Sequence, residues 1–275
     1  MQRTFTANQS GPIALDLAVS VGDITVFTDD RDVATVTVGP VDPTNDHEAD
    51  ALVHEALDTT TDGGLRVSVP RPLNTAGTTH RSHQAADVDG IVLNSGGTVV
   101  IGGQVVDEGH RLHRSNGAVR IAAWLPENSS VHVRTDSAQM RTDGPLRWVS
   151  YRSKSGDLDV ASVGELEAAT LSGNVKVGGA GETTTSTTSG NLNIERATRF
   201  NARSVSGDVA VRELTDEGTA QTTSGDVNVR AVSDSTVTAS TVSGDIRLSA
   251  DIGVDLNAST HTVSGHIQHP RTRAM

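Results

Sequence analysis

One six-residue phrase recurs through the second half of the chain and restricts its fold more than any other feature. It reads Ser155-Gly156-Asp157-Leu158-Asp159-Val160, then Ser172-Gly173-Asn174-Val175-Lys176-Val177, and returns from Ser189, Ser206, Ser224, Ser243 and Ser264. The starts are 17, 17, 17, 18, 19 and 21 residues apart. A divergent copy, Ser137-Ala138-Gln139-Met140-Arg141-Thr142, stands upstream. Seven copies at so narrow a spacing define a structural repeat.

Each copy reads as a strand entered through a tight turn. Gly permits positive φ there, and Asp or Asn is expected to cap the turn with its own side chain. Beyond the turn Leu158, Val160, Val175, Val177, Leu192, Ile194, Val209 and Val211 alternate with Asp159, Lys176, Asn193 and Ala210. Period two with one apolar face is a half-buried strand. Counting back from each repeat Ser exposes a second strand. Two residues before it stand Ser153, Thr170, Thr187, Ser204, Thr222, Thr241 and Thr262. Four before it stand small residues, Ala168, Thr185, Ala202, Ala220, Ala239 and Thr260, with Tyr151 the exception.

A unit of about 17 residues cannot bury its apolar face alone and must stack on its neighbours. The fold class is therefore all-β: a β-solenoid of 17–21-residue coils paired strand to strand, rising roughly 4.8 Å per coil. Only 2% of the 275 residues are aromatic, which fits a narrow interior filled by small side chains. The hydroxyl column is expected inside, bonded to backbone or to itself.

Upstream the pattern is looser. Residues 13–19, 21–26, 33–38 and 65–70 read as strands, and Asp46 to Leu57 as the one helix. Asn74 to Gly90 is polar and expected to be mobile, and residues 91–106 combine Gly pairs with strand-like valines. The expected division is an irregular β cap over 1–115, with a mobile polar and Gly-rich part over 74–115, and the solenoid over 116–275.

Val21-Gly22-Asp23-Ile24-Thr25-Val26, then Val119-Arg120-Ile121 running into Leu125-Pro126, then Val131-His132-Val133 and the serial Ser-Gly-Asp-Val phrases occur in that order. The chain resembles the bacterial β-strand-repeat family called "putative adhesins", domain-of-unknown-function family 4097. The resemblance covers most of the chain and is best from residue 118 onward. It implies a β-solenoid, carries over no catalytic residue, and implies a link to cell-envelope processes.

The candidate chemistry is sparse. Absence of Cys excludes disulfides, thiolate zinc sites and a cysteine nucleophile. Two His-x-x-His pairs, His80/His83 and His110/His113, are candidate metal ligands; the plainer reading is solvated loop histidines with no carboxylate around them. His266 and His269 are lesser candidates. Asp157, Asp208, Asp226 and Asp245, with Asn174 and Asn191, would line one edge as a calcium ladder or, by the favoured reading, as turn caps. No nucleophile elbow, P-loop or dinucleotide fingerprint is present. Sugar cleavage needs two placed carboxylates, yet outward Glu167 and Asp159 stand isolated and outward rings are nearly absent.

A net charge of −12 argues against nucleic acid, and no window is apolar enough to enter a membrane. Met1-Gln2-Arg3-Thr4-Phe5-Thr6 has no apolar signal region, so the expected location is cytoplasmic. The final copy, Ser264-Gly265-His266-Ile267-Gln268-His269-Pro270, reads as a blunt stop against open-ended polymerisation. The resulting expectation is a non-enzymatic scaffold or interaction protein without cofactor, acting with a protein partner or as a homo-oligomer. The rival is a β-helix that binds or cleaves polysaccharide.

Overall fold

The structure is a computed structural model that describes residues 1–72, except 45 and 62, and 117–270, with the backbone of three short strands between them. Two compact units are present: Met1–Pro72 with Ser115–Met275, and Leu73–Arg114. The smaller unit holds an antiparallel sheet of β6 (Ile91–Leu93), β7 (Val99–Ile101) and β8 (Gln104–Val105). The four histidines singled out from the sequence, His80, His83, His110 and His113, lie outside the described residues.

In the larger unit the N-terminal segment supplies β1 (Arg3–Ser10), β2 (Ala14–Asp29), β3 (Val33–Pro40), the helix α1 (His47–Glu55), β4 (Leu57–Thr61) and β5 (Gly64–Ser68). The chain returns as β9 (Val119–Pro126) and then runs almost entirely as strand. These strands are β10 (Ser130–Ser153), β11 (Leu158–Thr170), β12 (Val175–Ser189), β13 (Leu192–Ser206), β14 (Val209–Gln221), β15 (Val227–Ala231), β16 (Ser235–Ser243), β17 (Ile246–Ala250), β18 (Leu256–Ser264) and β19 (Ile267–Gln268). From β10 to β19 every pairing is parallel. This is the β-solenoid that the repeat demands.

The register follows the sequence columns. On one wall Met140, Leu158, Val175, Leu192, Val209, Val227, Ile246 and Ile267 are successive partners. On the other Val149, Leu166, Thr183, Phe200, Gly218, Val237 and Ala258 do the same. The Ser137 copy is confirmed as a true coil, since Met140 stands opposite Leu158. All the inward residues of the first wall up to Ile246 are buried. Volumes compensate from coil to coil: a Cβ on Gly218 would come within 2.1 Å of the Phe200 ring, so the glycine makes room for the phenyl group.

The repeat glycine has a second reason beside the one expected. Gly225, Gly244 and Gly265 adopt positive φ, at 155°, 151° and 156°, whereas Gly156, Gly173, Gly190 and Gly207 do not. A Cβ on Gly207 would lie 2.0 Å from the Gly190 carbonyl oxygen, and the other copies are as close to the coil before them. Glycine is required because one turn stacks directly on the next.

The hydroxyl column is buried from Ser153 to Thr241 and half-exposed at Thr262 in the last coil. Thr222, Thr241 and Thr262 donate at 3.2 Å to the carbonyls of Gly207, Gly225 and Gly244 in the preceding coil. Ser153 accepts from the Gly156 N–H at 2.8 Å. Thr170 and Thr187 are buried without a hydrogen-bond partner.

Residues 1–72 and 115–275 form one compact unit, in which β2 is parallel and in register with β10 from Ala14↔Ser130 to Phe27↔Asp143. β10 itself runs along both walls. Residues 130–143 pair with β2, and the stretch from Met140 pairs with β11, with a register shift between Thr142 and Pro145. Capping is done by smaller pieces. β9 continues beyond β2 in parallel, β3 turns back antiparallel on β9, and β1 antiparallel on β3. β5 pairs with β2 and carries antiparallel β4. The helix begins at Asp46, whose carboxylate accepts the Ala49 N–H at 2.8 Å, and buries Ala49, Leu52 and Val53.

Two substitutions distinguish packing from hydrogen bonding in this core. Thr170→Val removes a hydroxyl with no partner and should leave the urea midpoint unchanged or raise it, whereas Thr222→Val should cost about 1 kcal/mol. Val209→Asp should cost several kcal/mol, on the order of 3–5, by burying an unpaired charge.

Candidate binding surfaces of the solenoid

The turn column is an edge-long hydrogen-bond ladder. The Asp157 carboxylate accepts the Asn174 backbone N–H at 2.7 Å, and the Asn174 side-chain oxygen accepts the Asn191 N–H at 3.0 Å. The series continues through Asp208, Asp226, Asp245 and His266, each N–H reaching the side chain of the coil before it. The favoured reading of turn caps is thus amended: each Asp or Asn caps the following coil's turn, not its own. One side-chain oxygen of each ladder Asp and Asn is engaged by an N–H donor of the next turn. Among the described residues no group of three or more His, Cys, Asp or Glu is placed to hold a metal ion.

Asp245 shows what the ladder does electrostatically. The His266 backbone N–H, with Arg247 and His266 nearby, holds its carboxyl below the ordinary 3.8. His266 is itself 95% exposed with its ring 3.6 Å from Asp245, and His269 contacts the Thr260 hydroxyl at 3.1 Å.

The two outward carboxylates weighed for sugar cleavage are engaged by arginines. Glu167 meets Arg152 at 2.9 Å, and Asp159 stands 3.7 Å from Arg141. Further along, Arg196–Glu213, Arg199–Glu182, Arg212–Glu195 and Arg230–Asp251 bridge adjacent coils at 2.7–3.1 Å. Acid and base answer each other along the stack.

Two outward aromatic pairs escaped the sequence reading. Phe27 stacks on Trp124 with centroids 5.6 Å apart, and Arg31 lies over the indole at 6.0 Å, held by Asp29. His132 stacks on Trp148 at 6.2 Å, nearly coplanar. Burial, with Arg134 beside it, depresses the His132 pKa. Phe27 meets Trp124 through the register of β2 on β9, so their positions in sequence gave no signal. Next to Arg134 lies a groove of about 530 Å³ lined by Arg71, Arg134, Arg152 and Lys154 around Asp136. Lys154 meets that carboxylate at 2.7 Å and Arg71 at 3.7 Å, which keeps it ionised well into acid. A second groove of about 420 Å³ crosses the first wall between Asp23, Arg120, Gln139, Arg141 and Lys176. Tyr151, the exception in the small-residue column, is fully buried; its hydroxyl donates to the Ala138 carbonyl at 2.7 Å, and burial pushes its pKa up to about 12. It is a structural bond, with no reactive phenolate.

Parallel coils and in-register columns define a repeat protein of the β-solenoid class. The sequence profile of Toastrack DUF4097 matches residues 74–274, and the chain belongs to that family. No curated protein matches it. Among solved structures it is similar to a "putative adhesin" from Parabacteroides merdae, at 12% identity, a TM-score of 0.52, and coverage of 98% of this chain and 96% of that one. A "putative adhesin" from Bacteroides fragilis gives 12% identity and a TM-score of 0.41, covering 98% and 97%. A "putative lipid binding protein" from Parabacteroides distasonis gives 13% identity and a TM-score of 0.37, again covering 98% and 97%. Among the described residues no helix is long and apolar enough to cross a membrane.

The lowered Asp245 pKa sets a pH window. Because the folded value lies below 3.8, the carboxylate's contribution is complete above that pH and disappears as pH falls through the folded pKa. Asp245→Asn should therefore differ from the parent in urea midpoint at pH 7, and the difference should vanish only below pH 3.8.

Proposed function

We propose that this protein is a non-enzymatic scaffold that holds a binding surface rigidly along the flanks of its stacked coils and engages a protein partner or further copies of itself. The observation that carries this reading is the contrast between frame and surface. Turn glycines, the Asx ladder and inward residues repeat with each coil, whereas the outward partners Asp159, Lys176, Asn193, Ala210, Asn228 and Arg247 change at every step. A fixed frame with variable outward positions is how solenoids build extended recognition surfaces. The pairing of outward acids with arginines weighs against a carboxylate-driven hydrolase.

The polysaccharide reading keeps one supporting observation in its binding form. Trp124 lies between Phe27 and Arg31 and Trp148 stacks on His132, and aromatic rings near the surface are what sugar recognition uses. The two readings separate in one experiment. The purified chain is incubated with a panel of bacterial polysaccharides, and release of reducing ends, retention on the glycans and capture of proteins from the native organism are measured. The scaffold reading expects no turnover, and protein capture that survives Trp148→Ala but is lost on replacing Lys176, Asn193 and Arg247 with Glu at an unchanged melting temperature. Glycan retention lost in Trp124→Ala or Trp148→Ala would favour the alternative. Turnover abolished by replacing a carboxylate would overturn the non-enzymatic reading.

A further inference from the structure

The two ends of the stack are unlike. At one, antiparallel β1, β3 and β4 and the buried face of α1 close the coils. At the other, β18 pairs only with β16 and β19 only with β17. The free sides of these two strands have no ladder partner among the described residues. Cover is lost with it. Val237, Ala239 and Thr241 are buried, whereas their neighbours Ala258, Thr260 and Thr262 in the last coil are half-exposed. Ile267 is 40% exposed where its partner Ile246 is buried.

Edge strands in soluble proteins are commonly protected by charge, by Pro or by a bulge. β18 uses none of these. Leu256 to Pro270 contains no Asp, Glu, Lys or Arg, in a chain whose net charge is −12. The end coil is thus the part of the stack where two copies of an acidic protein can meet without repulsion.

We propose that this coil is the interface for a second copy of the chain, the two ends meeting about a twofold axis with β18 antiparallel to β18 of the other copy. Head-to-tail stacking would need an open first coil, and that position is taken by the antiparallel cap strands and the helix. A self-complementary contact uses the same end of both copies and so gives a dimer and not a fibre. A twofold axis between strands also produces antiparallel pairing, whose hydrogen bonds need no crossover. This inference deepens the interaction reading above and rests on it; a monomer would remove this interface and leave capture and turnover to decide the wider reading.

The test is the mass of the full chain by light scattering, from low micromolar to near-millimolar concentration, with charge variants at the end coil. The expected result is a dimer for the parent chain and monomers for both Ala258→Asp and Ala258→Arg, with dimers restored when the two variants are mixed. Val263→Asp and Val263→Arg, at a position folding does not require, repeat the series if the Ala258 variants melt early. A parent chain that is monomeric throughout overturns the proposal. So does a dimer indifferent to these charges, or a mass that keeps growing beyond two copies.

Discussion

The distance between successive coils is the constraint on which the rest of this structure depends. Parallel pairing sets it near 4.8 Å, and at that distance a turn has no room for a side chain on its inner corner. A Cβ on Gly190 would stand 2.1 Å from the Gly173 carbonyl, and one on Gly244 2.1 Å from that of Gly225. The residue beside the glycine then faces an N–H of the next turn at hydrogen-bond distance, and only a short side chain with an oxygen two bonds from Cβ can reach it squarely. Asp and Asn satisfy that demand, so the phrase Ser-Gly-Asx is imposed by the neighbouring coil more than by the local turn. The inward columns obey the same spacing: Phe200 occupies one layer because Thr183 and Gly218, its partners on either side, are small.

Periodicity made the fold legible because the coils repeat in sequence as they do in space. The columns counted back from the repeat Ser, with Ala168, Thr185 and Ala202 in one and Thr170, Thr187 and Ser204 in another, are the columns of the stack. What periodicity could not show was any pairing between segments distant in the chain. β2 joins β10 across 116 residues at Ala14↔Ser130, and β9 sits in parallel on one side of β2 and antiparallel to β3 on its other side. Nothing in the local alternation of Val33–Val38 separates a parallel from an antiparallel partner. The strands β1 and β4 were not expected for the same reason: Arg3–Ser10 and Leu57–Thr61 are polar alternations that become strands only by completing an edge. The surface pairs were hidden likewise, since Phe27 meets Trp124 through the register of two strands and not through spacing.

The same spacing governs the charges on the flanks. In-register stacking places like residues 4.8 Å apart unless the sequence alternates, and Glu165 does stand directly beside Glu182. The next coil answers with Arg199, which reaches back to Glu182 and lies 3.7 Å from Asp216. Arg196 with Glu213, and Arg212 with Glu195, run across the wall in opposite senses between the same two coils. Every one of these pairs is open to solvent, so each contributes at most about 1 kcal/mol and the core does not depend on them. Their effect is to relieve the repulsion that a column of carboxylates would feel at the distance the backbone imposes. The first wall's outward column relieves itself differently, passing from Asp159 through Lys176, Asn193, Ala210 and Asn228 to Arg247 without two like charges in succession. Only that rule binds the outward positions, which leaves their identities free to be set by what the surface meets.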